Sequence, residues 1–449
     1  MKVSIPVARP EGLVGRLAAG VLLVLLVMAS LPVPSASAAT AVPTGLRSTA
    51  VTPTTVSLAW TAVAGAPMYR IKYSASASMT NAVFHRYTAP SGQVIGLQPG
   101  TSYYFQVRVI TTAGASLSAY SPVVRVATAA KRTYNGLSAT TPLRVGSYNI
   151  KCANCYAKQP NELPWSERRS AVVAAIRKQN LDVIGVQEAS QGWLKDASGA
   201  SINLSQFEDL QQRLGVPWKL TNDKRNNCVK STTPTGCVYA DQGASQGTRI
   251  LYNSDRVELV SSGSKLLPSK DAANARYTAW AILRQRSTGV KFFFADSHLD
   301  PDAASYDLRK KEAEVAVQTI KEKNAGNLPV ISVGDFNSSR FADPTNAPYD
   351  VYIKAGFVDP LGGAANSTRA VDPWADQRVS TWLNSYNGFV RHAKGNRSWD
   401  NGSYIDYMLT TPMRISEWET VAALDANDDF VGIIPSDHNL VRMTVYLPV

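Results

Sequence analysis

One stretch of this 449-residue chain has no acidic residue at all: from Thr40 to Ala130 there are six Lys or Arg and no Asp or Glu. The whole chain carries 46 Lys plus Arg against 34 Asp plus Glu, a formal charge of +12. Without the basic leader described below the charge is +10, of which +6 lies in the acid-free stretch and +4 in the remainder. A basic surface attracts polyanions, anionic cell-wall polymers among them. Cysteine is scarce, with four residues, so a disulfide-dense scaffold is excluded. No long apolar run follows the leader, which excludes a transmembrane helix in the mature chain. No repeat of 20 to 50 residues is visible, which argues against a solenoid.

The leader itself has Lys2, Arg9 and Arg16 ahead of the apolar stretch Leu17 to Ala29, then small residues ending at Ala36-Ser37-Ala38. This pattern predicts a signal peptide over 1–38 and a secreted, extracellular, soluble mature protein. In an oxidising compartment four cysteines predict two disulfides, Cys152 with Cys155 and Cys228 with Cys237. A zinc site is the competing reading, since Cys152-x-x-Cys155 has ligand spacing.

A chain of this length exceeds one hydrophobic core, so more than one domain is expected. From 41 to 129 the chain is a series of short Val-, Ile-, Thr- and Tyr-rich runs broken by Gly, Pro and Ser, as in an all-β sandwich. "TTVSLAW" puts Val56, Leu58 and Trp60 on one face, and Tyr103, Phe105, Val107 and Val109 follow Pro99-Gly100 at period two. With Trp60 as core tryptophan and Tyr103 at the corner, this stretch resembles a fibronectin type III domain. A polar linker, 130–141, leads to a second domain over 142–449. There "LRVGSYNI", a helix in "SERRSAVVAAIRKQN" capped by Ser166, and "LDVIGVQE" read as strand, helix, strand. The alternation returns in "VKFFFADSHL", a helix from Tyr306 to Asn324 bearing Leu308, Val315, Ala316 and Ile320 on one face, and "LPVISVGDFN". These imply a layered α/β core.

Polar residues stand where the apolar strands of this domain end: Asn149, Glu188, Asp335 with Asn337, Asp406 within "YIDY", and Asp437-His438 before the last strand. Each taken alone is an ordinary turn or strand-entry residue. A whole series of carboxylates at buried strand ends is costly unless they share a site.

Together with His298 in "SHL", these motifs occur in the order and spacing of the endonuclease/exonuclease/phosphatase superfamily, which the second domain resembles. The resemblance implies a DNase I-like α/β four-layer sandwich, two β-sheets flanked by helices, with the site at one rim. It implies a divalent cation, Mg2+ or Mn2+, held by Glu188 with Asn149 and Asp437. By the same pattern Asp335 orients or deprotonates the attacking water, and Asn337 donates a hydrogen bond to the phosphate or its nucleophile. Asp406 fixes the tautomer of His438, which faces the phosphate. His298 assists the leaving group or contacts the phosphate, and Tyr252 and Arg276 line the substrate site. The implied substrate carries phosphate. An extracellular nuclease acting on DNA or RNA is the first reading, with a sphingomyelinase-like or sugar-phosphate enzyme as the alternative. A catalytically inactive adhesive protein is the third, and the type III domain is expected to contact a cell wall or polymer. Between Gly362 and Ser403, Trp374, Trp382, Tyr386, Phe389 and Trp399 alternate with Arg391, Lys394 and Arg397, either to stack bases or to cap the fold.

Overall fold

A computed structural model of the chain describes residues 40–130, 133–196, 198–221, 247–270, 275–339, 347–362, 374–397 and 402–449. The leader, Cys228, Cys237 and Trp399 lie outside the described residues.

The first domain has strands β1 (Arg47–Val51), β2 (Val56–Ala59), β3 (Met68–Ser74), β4 (Val83–Tyr87), β5 (Ser91–Val94), β6 (Ser102–Ile110) and β7 (Val124–Ala127). They form a three-stranded sheet, β1-β2-β5, and a four-stranded sheet, β4-β3-β6-β7. Period-two alternation supplies the core: β6 buries Tyr103, Phe105, Val107 and Val109 while the residues between them face outward. Trp60 meets Tyr69 edge to face, ring centroids 5.3 Å apart, and the Tyr103 hydroxyl accepts a hydrogen bond from the Gln98 amide at 3.0 Å.

The second domain runs β8 (Leu143–Asn149), α1 (Trp165–Lys178), β9 (Val183–Gln187), β10 (Trp193–Lys195), β11 (Ser201–Ser205), α2 (Gln206–Leu214), β12 (Trp218–Leu220), β13 (Arg249–Asn253) and β14 (Val257–Leu266). It continues through β15 (Tyr277–Gln285), β16 (Lys291–His298), α3 (Tyr306–Lys323), β17 (Val330–Asp335), α4 (Ala347–Lys354), β18 (Gln377–Val379), β19 (Asp406–Thr410), β20 (Arg414–Val421) and β21 (Leu440–Tyr446). One sheet has the order β12-β13-β9-β8-β21-β20-β18 and the other β14-β15-β16-β17-β19. Between them lies a core holding Val145, Val183 and Met443 from the first and Phe292, Phe294 and Val333 from the second. On its far side the first sheet packs α1 and α2, and the second packs α3 and α4. The result is the expected four-layer sandwich. It explains why "KFFFAD" is a continuous apolar run: Phe292 and Phe294 face the other sheet while Phe293 and Ala295 face the helices.

Two local readings shift. Helix α1 begins at Trp165 behind an extended Pro164, so Ser166 lies inside the first turn and is not the cap; the Trp165 indole is anchored on Asp209 at 2.8 Å. Helix α3 buries Ala313, Ala316, Val317 and Ile320 together with Arg309 and Glu312, and leaves Leu308 and Val315 half-buried. The buried face is rotated because the helix also shelters the loop after β16, where Glu312 accepts the Asp300 amide at 2.9 Å.

The inter-sheet stripe becomes polar towards one rim. Gly185 permits this, since a Cβ there would come within 2.8 Å of the Asp296 carboxyl carbon and 2.6 Å of Val333. Asp296 is fully buried and accepts the Gln187 amide at 2.6 Å, while its second oxygen has no partner among the described residues. Burial pushes its carboxyl up to about 8, against the Gln187 hydrogen bond. The unfolded carboxyl ionises near 4, so stability is full below that, falls as pH rises through the folded value, and levels off beyond it. Asp296→Asn should remove that decline, on the order of 3 kcal/mol. Thermal melts of both proteins at pH 5 and pH 8 check this; an equal fall in Tm for the two would refute it.

Candidate active site

Strand direction gathers the polar ends. β8 and β9 are parallel, and β21 is antiparallel to β8, so Asn149, Glu188 and the residues before Leu440 share one edge. In the facing sheet β16 and β17 are parallel and β19 is antiparallel to β17. His298, Asp335 and Asp406 are therefore register neighbours across three strands. Asn149, Asp335, His298 and Asp406 all continue the inward-facing parity of Val145, Val333, Phe294 and Met408. The site is the inter-sheet core carried to its rim with polar side chains.

His438 sits at the centre. Its Nδ1 is 2.9 Å from Asp406 Oδ2 and its Nε2 is 3.7 Å from Asp335 Oδ2. Burial lowers the imidazole pKa, but Asp406, Asp335 and Asp437 outweigh this and hold it up to about 10. His298 is the opposite case. Burial first, then Arg276 and the His438 cation, push it well below the ordinary value, and its Nδ1 has no partner among the described residues. Its Nε2 lies 3.6 Å from Asp335 Oδ2. Asp335 itself is raised by burial and by Asp406, against His438 and the Asn149 amide. Thus two imidazoles flank one carboxylate in different charge states, His438 cationic and His298 neutral.

The other side is oxygen-rich. Asn149 Nδ2 bridges Glu188 Oε1 at 3.1 Å and Asp335 Oδ2 at 3.0 Å. Glu188 Oε2 accepts the Cys152 amide at 2.9 Å, and Asp437 Oδ2 pairs with Lys151 at 3.3 Å. Glu188, Lys151 and Asn337 each hold a positive φ, between 47° and 56°, backbone strain of the kind that marks functional loops. Among the described residues two groups bring ligand-capable atoms within 4.8 Å of one another: Asp335, Asp406 and His438, and Cys152, Cys155 and Glu188. A cationic His438 has no lone pair to offer a metal, and the Cys152–Cys155 disulfide removes both thiolates. Glu188, Asn149 and Asp437 remain as a hard-oxygen set that fits Mg2+ or Mn2+.

Glu188, Asp437, Lys151, His298, Asp335 and His438 line an open cleft of about 380 Å³ together with Arg276 and Tyr386. Asn337 reaches it with its Nδ2 donated to the Leu299 carbonyl at 2.9 Å. Tyr252 does not reach it. It pairs with Val183 at the far end of β9 and packs in the inter-sheet core, because β13 runs antiparallel and brings Arg249, not Tyr252, towards the rim. Most of the aromatic series is also structural. Trp374 donates to the Met413 carbonyl, Trp382 carries the Arg397 guanidinium 3.7 Å from its ring centroid, and Phe389 is buried. Only Tyr386, 44% exposed and edge-on to His438, faces the cleft among the described aromatics of that series.

Several residues that shape the site carry little sequence signal. Ser385 Oγ accepts the Ile405 and Asp406 amides, and Asn387 holds the Asp437 carbonyl and Asn439. Their cue is the Asn387-Gly388 turn pair. Fully buried Arg168 donates to the carbonyls of Ile150 at 2.6 Å, Lys151 at 2.5 Å and Pro435 at 3.0 Å. It thereby ties the first polar strand end to the last. Its position four residues before Val172, on the buried face of α1, is the available cue.

A family model described as the endonuclease/exonuclease/phosphatase family matches residues 146–438, and one for the fibronectin type III domain matches 41–126. Nocturnin of Drosophila melanogaster is 27% identical over 198 residues, 43% of this chain; the chain spans 27% of that relative's length. Among solved structures, an endonuclease/exonuclease/phosphatase family protein of Bacteroides thetaiotaomicron is 21% identical, with TM-score 0.48, covering 69% of this chain and 99% of its own. The mannosyl-6-phosphatase of the same organism is 21% identical, TM-score 0.47, with 68% and 99% covered. The human Nocturnin catalytic domain with bound sulfate is 18% identical, TM-score 0.45, with 70% and 96% covered.

Arg168→Lys leaves carbonyls without their donors, because an ammonium lacks the planar fork. Stability should fall by about 2–4 kcal/mol, and turnover by at least about tenfold as the two loops drift apart. Denaturant melts and steady-state kinetics check this; a variant with wild-type turnover would refute the clamp.

Proposed function

Because the chain belongs to the endonuclease/exonuclease/phosphatase family of metal-dependent phosphoesterases, we propose that this enzyme is a secreted phosphodiesterase that cleaves nucleic acid. The observation that carries the reading is the buried Asp335–His438–Asp406 array beside the oxygen donors Glu188, Asn149 and Asp437. Phosphodiesters resist hydroxide because they are already anionic, so catalysis needs charge neutralisation and an aligned water.

Glu188, Asn149 and Asp437 would hold Mg2+ or Mn2+, which would supply Lewis-acid neutralisation of charge on a phosphoryl oxygen. Asp335, with its raised affinity for a proton, orients and deprotonates the water. His438 stays protonated, oriented by Asp406, and faces the phosphate oxygens as a fixed positive charge. Asn337 contributes its amide to the phosphate or nucleophile. His298, neutral at physiological pH, suits hydrogen bonding to a phosphate oxygen better than proton delivery to the leaving group. Lys151 and Arg276 add positive charge to the cleft, and the Tyr386 ring offers a face to a base.

Secretion is supported by the leader and by the Cys152–Cys155 disulfide. A lipid phosphodiester is the second reading, favoured by exposed Val390, Val431 and Ile433 on loops that Arg391 ties together.

The test is mature protein with Mg2+, offered plasmid DNA, RNA, sphingomyelin vesicles and mannose 6-phosphate. Nicking of nucleic acid is expected, abolished by EDTA and lowered about 10³-fold in His438→Ala and in Glu188→Gln. Undiminished activity in His438→Ala would end the mechanism; release of phosphocholine or free phosphate without nicking would end the nucleic-acid reading.

A further inference from the structure

The acid-free sandwich distributes its cations unevenly. Of its six Lys and Arg, Arg47 lies on β1, and Arg70, Lys72, Arg86, Arg108 and Arg125 all lie on the four-stranded sheet β4-β3-β6-β7. Strand register puts those five on one face. Arg70 is paired with Arg86 on one side and with Arg108 on the other, Lys72 lies between Phe84 and Gln106, and Arg125 is opposite Tyr104. The alternating residues of these strands, Tyr69, Ile71, Phe105 and Val107 among them, are buried in the sandwich core, so the cationic face is the outward one.

Three arginines directly opposite one another on adjacent strands repel. Two of the heads are also drawn together: Arg70 donates to the Gly114 carbonyl at 2.6 Å, and a Cβ on Gly114 would come within 2.5 Å of Arg86 Nη2 and 3.1 Å of Arg70 Nη2. The sandwich contains no carboxylate to neutralise them. Such an arrangement lowers its energy by taking up a row of anions spaced at about the strand separation of roughly 4.8 Å.

Aromatic rings stand between the cations. Phe84 is 54% exposed with the Arg70 guanidinium 6.0 Å from its centroid. Tyr120 has Arg108 at 4.3 Å and Lys72 at 5.6 Å, and half-buried Tyr104 neighbours Arg125. A flat face of cations interleaved with rings matches a ligand that offers both phosphates and unpaired π-faces.

We propose that this outer face of the type III domain binds single-stranded nucleic acid, with phosphates along the row Arg86, Arg70 and Arg108 and bases stacked on Phe84 and Tyr104. Polyanions without bases would use the row and ignore the rings, and a duplex hides its ring faces. The surface is independent of the catalytic cleft and holds whichever ester the cleft cleaves.

The experiment uses the full mature chain in EDTA, so that no cleavage occurs, and a fluorescein-labelled oligothymidylate read by anisotropy across a salt series. The triple variant R70Q/R86Q/R108Q should bind at least about tenfold more weakly, with the salt slope reduced by about two. The triple variant R70K/R86K/R108K should keep most of the affinity and certifies the fold of the face. Phe84→Ala with Tyr104→Ala should lose about tenfold without changing the salt slope. Hydrolysis of bis(p-nitrophenyl) phosphate with Mg2+ should be the same in all of these variants. The proposal falls if the glutamine triple variant retains wild-type affinity and slope. It falls equally if inorganic polyphosphate or phosphatidylglycerol vesicles compete as well as the oligonucleotide while the ring variants bind normally.

Discussion

The hydrogen bond from His438 to Asp406 joins the rims of the two sheets, and the organisation of the second domain serves to make it possible. Asp406 begins a strand of the five-stranded sheet, and His438 precedes a strand of the seven-stranded one. Neither side chain tolerates burial alone: an isolated carboxylate would take up a proton and an isolated imidazole would lose one. Held 2.9 Å apart with Asp335 across the ring, they keep opposite charges in a nearly dry place. That is a preorganised field, ready before any phosphate arrives.

Much of this was legible in sequence because strand periodicity extends into the site. Val145, Ser147 and Asn149 share a face, as do Ile331, Val333 and Asp335, so a buried strand that ends in a polar residue of the same parity aims it between the sheets. Once both sheets are read as buried, strand direction brings Asn149, Asp335 and Asp406 together, whereas Glu188 has the helix-side parity of Ile184 and Val186 and joins Asn149 through a positive φ of 56°. The sandwich was legible for the same reason, with Trp60 and the alternation of β6 setting its core.

What escaped was whatever depends on loops and on helix rotation. Tyr252 was expected in the site from the resemblance alone, but β13 runs antiparallel to β9 and carries it away from the rim. The aromatic series between 374 and 397 has a composition that suits base stacking, yet Trp374 donates to the Met413 carbonyl and Trp382 carries Arg397, which leaves Tyr386 at the cleft. Arg168 and Ser385 act on backbone carbonyls and amides, contacts that no residue pattern announces. The charge states of His298 and His438 were equally hidden. Both are buried histidines at strand ends, and they part because burial and Arg276 act together on one, while three carboxylates outweigh burial at the other.

The two domains solve the same electrostatic problem in opposite ways. In the second, carboxylates and cations are interdigitated at close range, so that Lys151 neutralises Asp437 and Arg256 neutralises Asp182 inside the chain. In the first, no carboxylate is present and five cations share a single sheet face, so the counter-charge must come from outside. Small ions satisfy such a face weakly, because each must give up its own freedom separately, whereas a polymer delivers many phosphates for one loss of translation and releases the small ions it displaces. A face that leaves its neutralisation to a partner therefore suits a chain-like anion better than separate small ions.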